Sequence, residues 1–201
     1  WSDQGTAANP STSGSTAGNY VVTITDLNGC EGSGVGVLTI NALPIVTVND
    51  AEICEGAPAA LYTAASDSSA ASYLWSENGS GTGPTTTGTS PGNYTVQVTD
   101  VNGCIGTGSG ILTVNTAATV TVNNNSICDG DDPVLFTAAA DIPILSYNWT
   151  ENGSGTNPTT SGNTPGNYTV QVVDENNCEA MATGVLTVNA LPAVTVNSET
   201  I

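Results

Sequence analysis

The clearest signal in the chain is a strict alternation of apolar and polar residues. In Tyr94-Thr95-Val96-Gln97-Val98-Thr99 every second residue is apolar. Such a run places Tyr94, Val96 and Val98 on the inner face of a β-strand and Thr95, Gln97 and Thr99 on the outer face. Shorter runs predict strands at 45–48, 60–64, 72–76, 85–89 and 111–114. The strand at 72–76 carries Tyr73 and Trp75 on one face, whereas 85–89 has little to bury. Between them lie turn sequences: Asn49 to Glu52, the loop Glu77 to Pro84, Pro91-Gly92-Asn93, and Asp100-Val101-Asn102-Gly103. The last reads as a hairpin, its Asn-Gly pair supplying the positive φ angles of a tight turn. No segment shows a 3.6-residue apolar period, so essentially no helix is expected.

The whole pattern recurs every 74 residues. Trp1, Trp75 and Trp149 are so spaced, as are Tyr20, Tyr94 and Tyr168, and Cys30, Cys104 and Cys178. Segments 75–115 and 149–189 agree at 27 of 41 positions without a gap. A period this long marks one folding unit used repeatedly. The expected division is a partial repeat at 1–41, full repeats at 45–115 and 119–189, and the first strand of another at 193–201. On this reading the chain begins and ends inside repeats and is a piece of a longer array. About seven short strands per unit predict an all-β fold of tandem immunoglobulin-like sandwiches, with Trp on the third strand and Tyr opening the sixth. The linkers Ala42-Leu43-Pro44, Thr116-Ala117-Ala118 and Ala190-Leu191-Pro192 are short, and two carry a stiffening proline. They are expected to hold neighbouring units nearly in line.

Composition narrows the function. There is no Lys, Arg or His, and the net charge is −18. Binding to nucleic acid needs cations to neutralise phosphates, and an anionic membrane surface needs the same. Neither partner is expected, and no apolar stretch is long enough to insert in a membrane. Catalysis through Ser–His–Asp, Cys–His, Lys or Arg is impossible with these residues, which leaves carboxylate pairs alone. The acids lie mostly in turns, so the chain is read as a non-enzyme that uses no cofactor.

Five cysteines fall in two classes. Cys54 and Cys128 sit in Ile-Cys-[Glu/Asp]-Gly, while Cys30, Cys104 and Cys178 follow Asp-x-Asn-[Gly/Asn]-Cys. Pairing within repeats gives Cys54–Cys104 and Cys128–Cys178, with Cys30 bonded outside the chain. Pairing across a boundary gives Cys30–Cys54 and Cys104–Cys128. The within-repeat scheme is preferred, each bond stabilising by about 4 kcal/mol in the chain-entropy model. Disulfides imply an oxidising, extracytoplasmic location.

Two other kinds of site are candidates. Asp129, Asp131 and Asp132 crowd after Cys128, and like charges so close favour either solvent or a cation, calcium being the candidate. Asn-x-Ser/Thr sequons begin at Asn78, Asn93, Asn124, Asn148, Asn152 and Asn167, several on predicted loops or strand ends where glycans project.

The order Ile-Cys-x-Gly, Tyr-x-Trp, Gly-Asn-Tyr-Thr-Val, Asp-x-Asn-Gly-Cys, Leu-Thr-Val-Asn resembles the tandem immunoglobulin-like (PKD-like) repeats of large Bacteroidota surface adhesins, of which the SprB-like gliding adhesins are the familiar case. The resemblance covers nearly the whole chain. It implies export to the cell surface and service in a stalk, filament or adhesin shaft whose partners are neighbouring repeats or copies of itself. It carries no active site. The alternative is a carbohydrate- or calcium-binding surface module, which calls for clustered, exposed aromatics.

Overall fold

The computed structural model describes residues 1–3 and 10–199. All regular elements among them are strands: β1 (Ser2–Asp3), β2 (Gly18–Thr25), β3 (Glu31–Leu38), β4 (Val46–Val48), β5 (Ala51–Cys54), β6 (Ala60–Ser66), β7 (Ala70–Glu77), β8 (Thr85–Gly88), β9 (Gly92–Asp100), β10 (Ile105–Asn115), β11 (Val120–Val122), β12 (Asn125–Cys128), β13 (Val134–Ala140), β14 (Ile144–Glu151), β15 (Thr159–Gly162), β16 (Gly166–Asp174) and β17 (Glu179–Asn189). β1, β2 and β3 form one antiparallel sheet in that order. The next seven strands form two sheets, β4-β6-β8 and β5-β10-β9-β7. The last seven repeat that plan as β11-β13-β15 and β12-β17-β16-β14. Each strand of the last set starts 74 residues after its counterpart, as Val120 does after Val46 and Glu179 after Ile105. Two compact units are formed: Trp1–Val48 with Thr63–Thr86 and Thr95–Ser109, and Asn49–Tyr62 with Thr87–Tyr94 and Gly110–Ile201.

The first strand of each full set is split between the sheets. β4 pairs antiparallel with β6, and β5 then runs parallel to the end of β10, with Asn115 opposite Cys54. The expected turn at 49–52 is therefore only Asn49-Asp50, because Ala51 and Glu52 already belong to β5. At the crossing the Asp50 carboxylate accepts the Ile111 N–H at 2.7 Å, and Asn124 accepts that of Val185 at 2.8 Å. The side chain thus supplies a ladder bond that the turning backbone cannot. The last strand is also longer than 111–114, since β10 spans 11 residues from Ile105. Gly106, Gly108 and Gly110 occupy its alternate positions, so no apolar side chain signals the strand there.

The cores follow the alternation. Tyr94, Val96 and Val98 are fully buried, as are Tyr168, Val170 and Val172. Tyr62 on β6 stacks on Tyr94 of β9 with ring centroids 4.2 Å apart, and Phe136 on β13 stacks on Tyr168 of β16 at 4.0 Å. These rings lie between the strands across which antibody domains place their disulfide. Trp75 and Trp149 are buried, and their indole N–H groups donate to the carbonyls of Gly83 and Asn157 at 2.9 Å. The Tyr94 hydroxyl donates to Ser90 O at 3.0 Å and that of Tyr168 to Thr164 O at 3.1 Å. Tyr20 does the same to Thr16 O at 3.0 Å. Two packed sheets, a buried Trp and this tyrosine corner define an immunoglobulin-like β-sandwich.

Two details went unread in the sequence. A Cβ at Gly88 or Gly162 would overlap the ring of Tyr94 or Tyr168, so glycine makes room for the corner. The short strand at 85–88 also buries more than expected: Thr86 is covered, and its hydroxyl donates to Ser80 O at 2.9 Å and accepts from Ser80 N. Thr160 and Ser154 repeat that arrangement. Of the expected strand at 193–201, residues 193–199 form no ladder, and Val194 and Val196 are 81% and 87% exposed; 200–201 lie outside the described residues. A strand without a neighbour has no partners for its backbone groups.

Candidate functional site: a clamped joint

The hairpin Asp-x-Asn-[Gly/Asn]-Cys is a self-bonded turn. The Asp174 carboxylate accepts the N–H groups of Asn176 and Cys178, both at 2.9 Å. Asp26 and Asp100 bind Asn28 with Cys30 and Asn102 with Cys104 in the same way, at 2.8 to 2.9 Å. The positive φ falls on one residue, Gly29, Gly103 or Asn177, and not on an Asn-Gly pair. This is a type I turn closed by a left-handed residue, the usual three-residue hairpin loop. The backbone bonds, that of Cys30 foremost, hold the exposed Asp26 carboxyl below its ordinary pKa. These acids serve the turn.

The hairpin delivers Cys178 to a disulfide with Cys54, Cα to Cα 5.6 Å. Neither pairing scheme read from the sequence is formed. Cys30 and Cys128 are exposed free thiols, and Cys104 is a half-buried one. Strand geometry explains why Cys128 does not meet Cys178. Cys128 pairs opposite Asn189 at the end of β17, whereas Cys178 immediately precedes that strand's first residue, Glu179. Some ten residues of strand, roughly 33 Å, separate them, and a disulfide needs Cα atoms within about 7 Å. The Cys54–Cys104 pair of the preferred scheme has the same register along β10. The cross-boundary pairs are likewise unformed, with Cys54 taken by Cys178 and Cys104 and Cys128 both free.

Around the bond the chain is held at several points. Cys178 Sγ lies 3.9 Å from Asn115 O, and the same carbonyl accepts the Glu55 N–H at 2.8 Å. In the linker that follows β10, Ala118 N–H donates to Asp174 Oδ2 at 3.0 Å and Thr119 N–H donates to Asp141 Oδ1 at 2.8 Å. Asp174 is fully buried and so receives three backbone donors. The position equivalent to Ala118 in the earlier linker is Pro44, which is buried and has no N–H to offer. Ile45 N–H still donates to Asp67 Oδ1 at 2.8 Å, the counterpart of the Thr119 bond.

Two predictions arise here. Asp174→Ala removes the acceptor of three backbone N–H groups, those of Ala118 and Cys178 buried, and loss of about 3 kcal/mol is expected in urea unfolding; Asp26→Ala, at an exposed turn, should cost clearly less. The Thr119 hydrogen bond holds the exposed Asp141 carboxyl below the ordinary 3.8. Its contribution is therefore complete above that value and lost as pH falls through the folded one. The Thr119 amide proton resonance should stay constant above pH 5 and shift only below about 3.8.

The other sequence candidates do not converge. Asp129, Asp131 and Asp132 are exposed, and Asp131 accepts the Cys128 N–H at 2.8 Å. Among the described residues no three His, Cys, Asp or Glu side chains gather as metal ligands. All six sequon asparagines are exposed. Asn124 is engaged at the strand crossing, Asn152 donates to Asn167 O at 3.1 Å, and Asn148 lies within a ladder opposite Gln171 instead of on a loop. The recurrence of Asp67 and Asp141 at the repeat spacing was the signal that could have revealed the linker clamps.

No protein-family model matches the chain, and no curated protein matches it. Solved structures similar to it include an I-band fragment of titin, at 12% identity over 75% of this chain and 67% of that one, with a TM-score of 0.43. A Ca2+-stabilized adhesin with which an Antarctic bacterium binds ice is 20% identical over 85% of this chain and 56% of that one, TM-score 0.45. The four N-terminal immunoglobulin domains of a Dscam1 isoform are 15% identical over 85% and 54%, TM-score 0.31. The chain thus spans little more than half of the latter two structures.

Proposed function

We propose that this chain is a structural segment of an extracellular stalk, filament or adhesin shaft, built from immunoglobulin-like units and performing no catalysis. The observation that carries the reading is the Cys54–Cys178 bond, set 124 residues apart and beside a linker clamped by Asp174 and Asp141. A shaft must transmit force from one unit to the next. A covalent bond between the first strand of one repeat and a hairpin of the following one serves that purpose, and it suits an oxidising location at the cell surface. A repulsive charge of −18 keeps such segments soluble and apart. The ten aromatic side chains support this reading over a sugar-binding module, because all of them are buried or half-buried. Rings that fill cores do not stack on a saccharide. The likeness to SprB-type repeats belongs to the same proposal.

Electron microscopy of the native material, averaged along any fibre, tests it. A thin beaded fibre with an axial spacing of roughly 35–45 Å is expected from strands of six to eight residues plus loops. Isolated particles without an axial repeat would overturn the reading.

A further inference from the structure

The disulfide has an unfilled counterpart 74 residues upstream. β10 carries β5 on its outer edge, from Leu112 opposite Ala51 to Asn115 opposite Cys54, and β17 carries β12 in the same register. β3 is the equivalent strand of the first sheet. It has β2 on one side and, among the described residues, no strand on the other. The equivalent side chains are also less covered, because the first set has, among the described residues, neither that strand nor a second sheet of its own. Leu112 is 2% exposed, whereas Leu38 is half-buried; Val114 is half-buried, whereas Ile40 is 58% exposed. Among the described residues no strand covers the outer edge of 38–41.

The cysteine that would receive it is already set. Cys104 Sγ lies 4.0 Å from Asn41 O, as Cys178 Sγ lies 3.9 Å from Asn115 O. Both cysteines are fixed by the same turn, their N–H groups bound to Asp100 and Asp174 at 2.8 and 2.9 Å. In the filled site the carbonyl of Asn115 also takes the Glu55 N–H, one residue beyond the bonded cysteine.

We propose that the outer edge of 38–41 and the thiol of Cys104 form the receiving half of a second joint. Its ligand is an extended segment of the type Ile-Cys-[Glu/Asp]-Gly, added parallel to the sheet edge. The bond forms by exchange with a disulfide oxidant. The Cys104 thiolate attacks the sulfur of an incoming cysteine held in a mixed disulfide, the old S–S bond breaks, and the displaced thiolate takes up a proton. Cys30 and Cys128 do not act as receivers. Cys30 is an exposed thiol, and Cys128 lies on a strand already paired with β17. The inference rests on the register of the observed bond and stands apart from the shaft reading.

The test uses the 201-residue chain and a synthetic peptide with the sequence of residues 45–56, its cysteine present as the glutathione mixed disulfide. After incubation at pH 8 and quenching, peptic fragments are mapped by mass spectrometry. The peptide is expected on Cys104 in at least tenfold excess over Cys30 and Cys128. A peptide with Ile53 and Cys54 exchanged places the sulfur on the opposite face of the strand, and the excess should vanish. Equal labelling of the three thiols, glutathione instead of peptide at Cys104, or indifference to the exchange would each overturn the proposal.

Discussion

Stretched from its two ends by single-molecule force spectroscopy, the oxidised chain is expected to unfold to a contour length roughly 420 Å short of its full extension, at about 3.4 Å per residue. The deficit is the segment closed between Cys54 and Cys178, a separation of 124 residues, which tension cannot reach while the bond holds. A reducing agent in the same experiment should restore the missing length. Cys54→Ser should restore it without a reductant, and it should also lower stability against denaturant. The chain-entropy model gives about 5 kcal/mol for a closed loop of this size, and measured losses commonly run 2–5 kcal/mol. A variant with Cys30→Ser should match the native chain in both measurements, since that thiol is free and exposed. Full extension of the oxidised native chain would refute the pairing.

Phe136→Ala is expected to destabilise the last strand set by about 3–5 kcal/mol in urea unfolding. Phe136 is fully buried, stacks on Tyr168, and belongs to the cluster of Ile127, Ala138, Trp149, Val170, Val172 and Leu186. Truncation removes the ring and leaves a cavity that β-sheet backbones cannot close. The equivalent position in the preceding set, Tyr62, sharpens the comparison. The Tyr62 hydroxyl is buried with no hydrogen-bond partner, and burial raises its pKa. Tyr62→Phe should therefore be neutral or stabilising by about 1 kcal/mol, since it removes an unsatisfied donor from the core. A clear loss from Tyr62→Phe would mean that the hydroxyl is satisfied by water in solution.

How far the sequence could be read depended on what each residue contributes to a pattern. Strands such as β9 and β16 were legible because inward Tyr and Val alternate with outward Thr and Gln. β5 was hidden: four residues with a single bulky apolar side chain, Ile53, do not establish a period. The first half of β10 was hidden because glycines hold its alternate positions. The hairpin turns were legible as turns, since Asp and Asn bind nearby backbone in a way that depends on local sequence only. Disulfide partners were not legible. Cysteine spacing fixes which residues belong to one register class. Which classes meet depends on the direction of β5 along β10, and parallel pairing puts Cys54 at the far end of that strand from the hairpin. The tyrosine-corner glycines Gly88 and Gly162 recur at the repeat spacing, yet nothing in a bare glycine announces a ring packed over it.

The stacked pairs Tyr62–Tyr94 and Phe136–Tyr168 bear on the order of events in maturation. They join strands across which antibody domains are cross-linked by sulfur, and here stacked rings hold those strands together. Each sandwich is accordingly expected to reach its native packing without an oxidant. Oxidation is then expected to act last, on cysteines that packing has already brought within reach, so that position in the fold selects the partner.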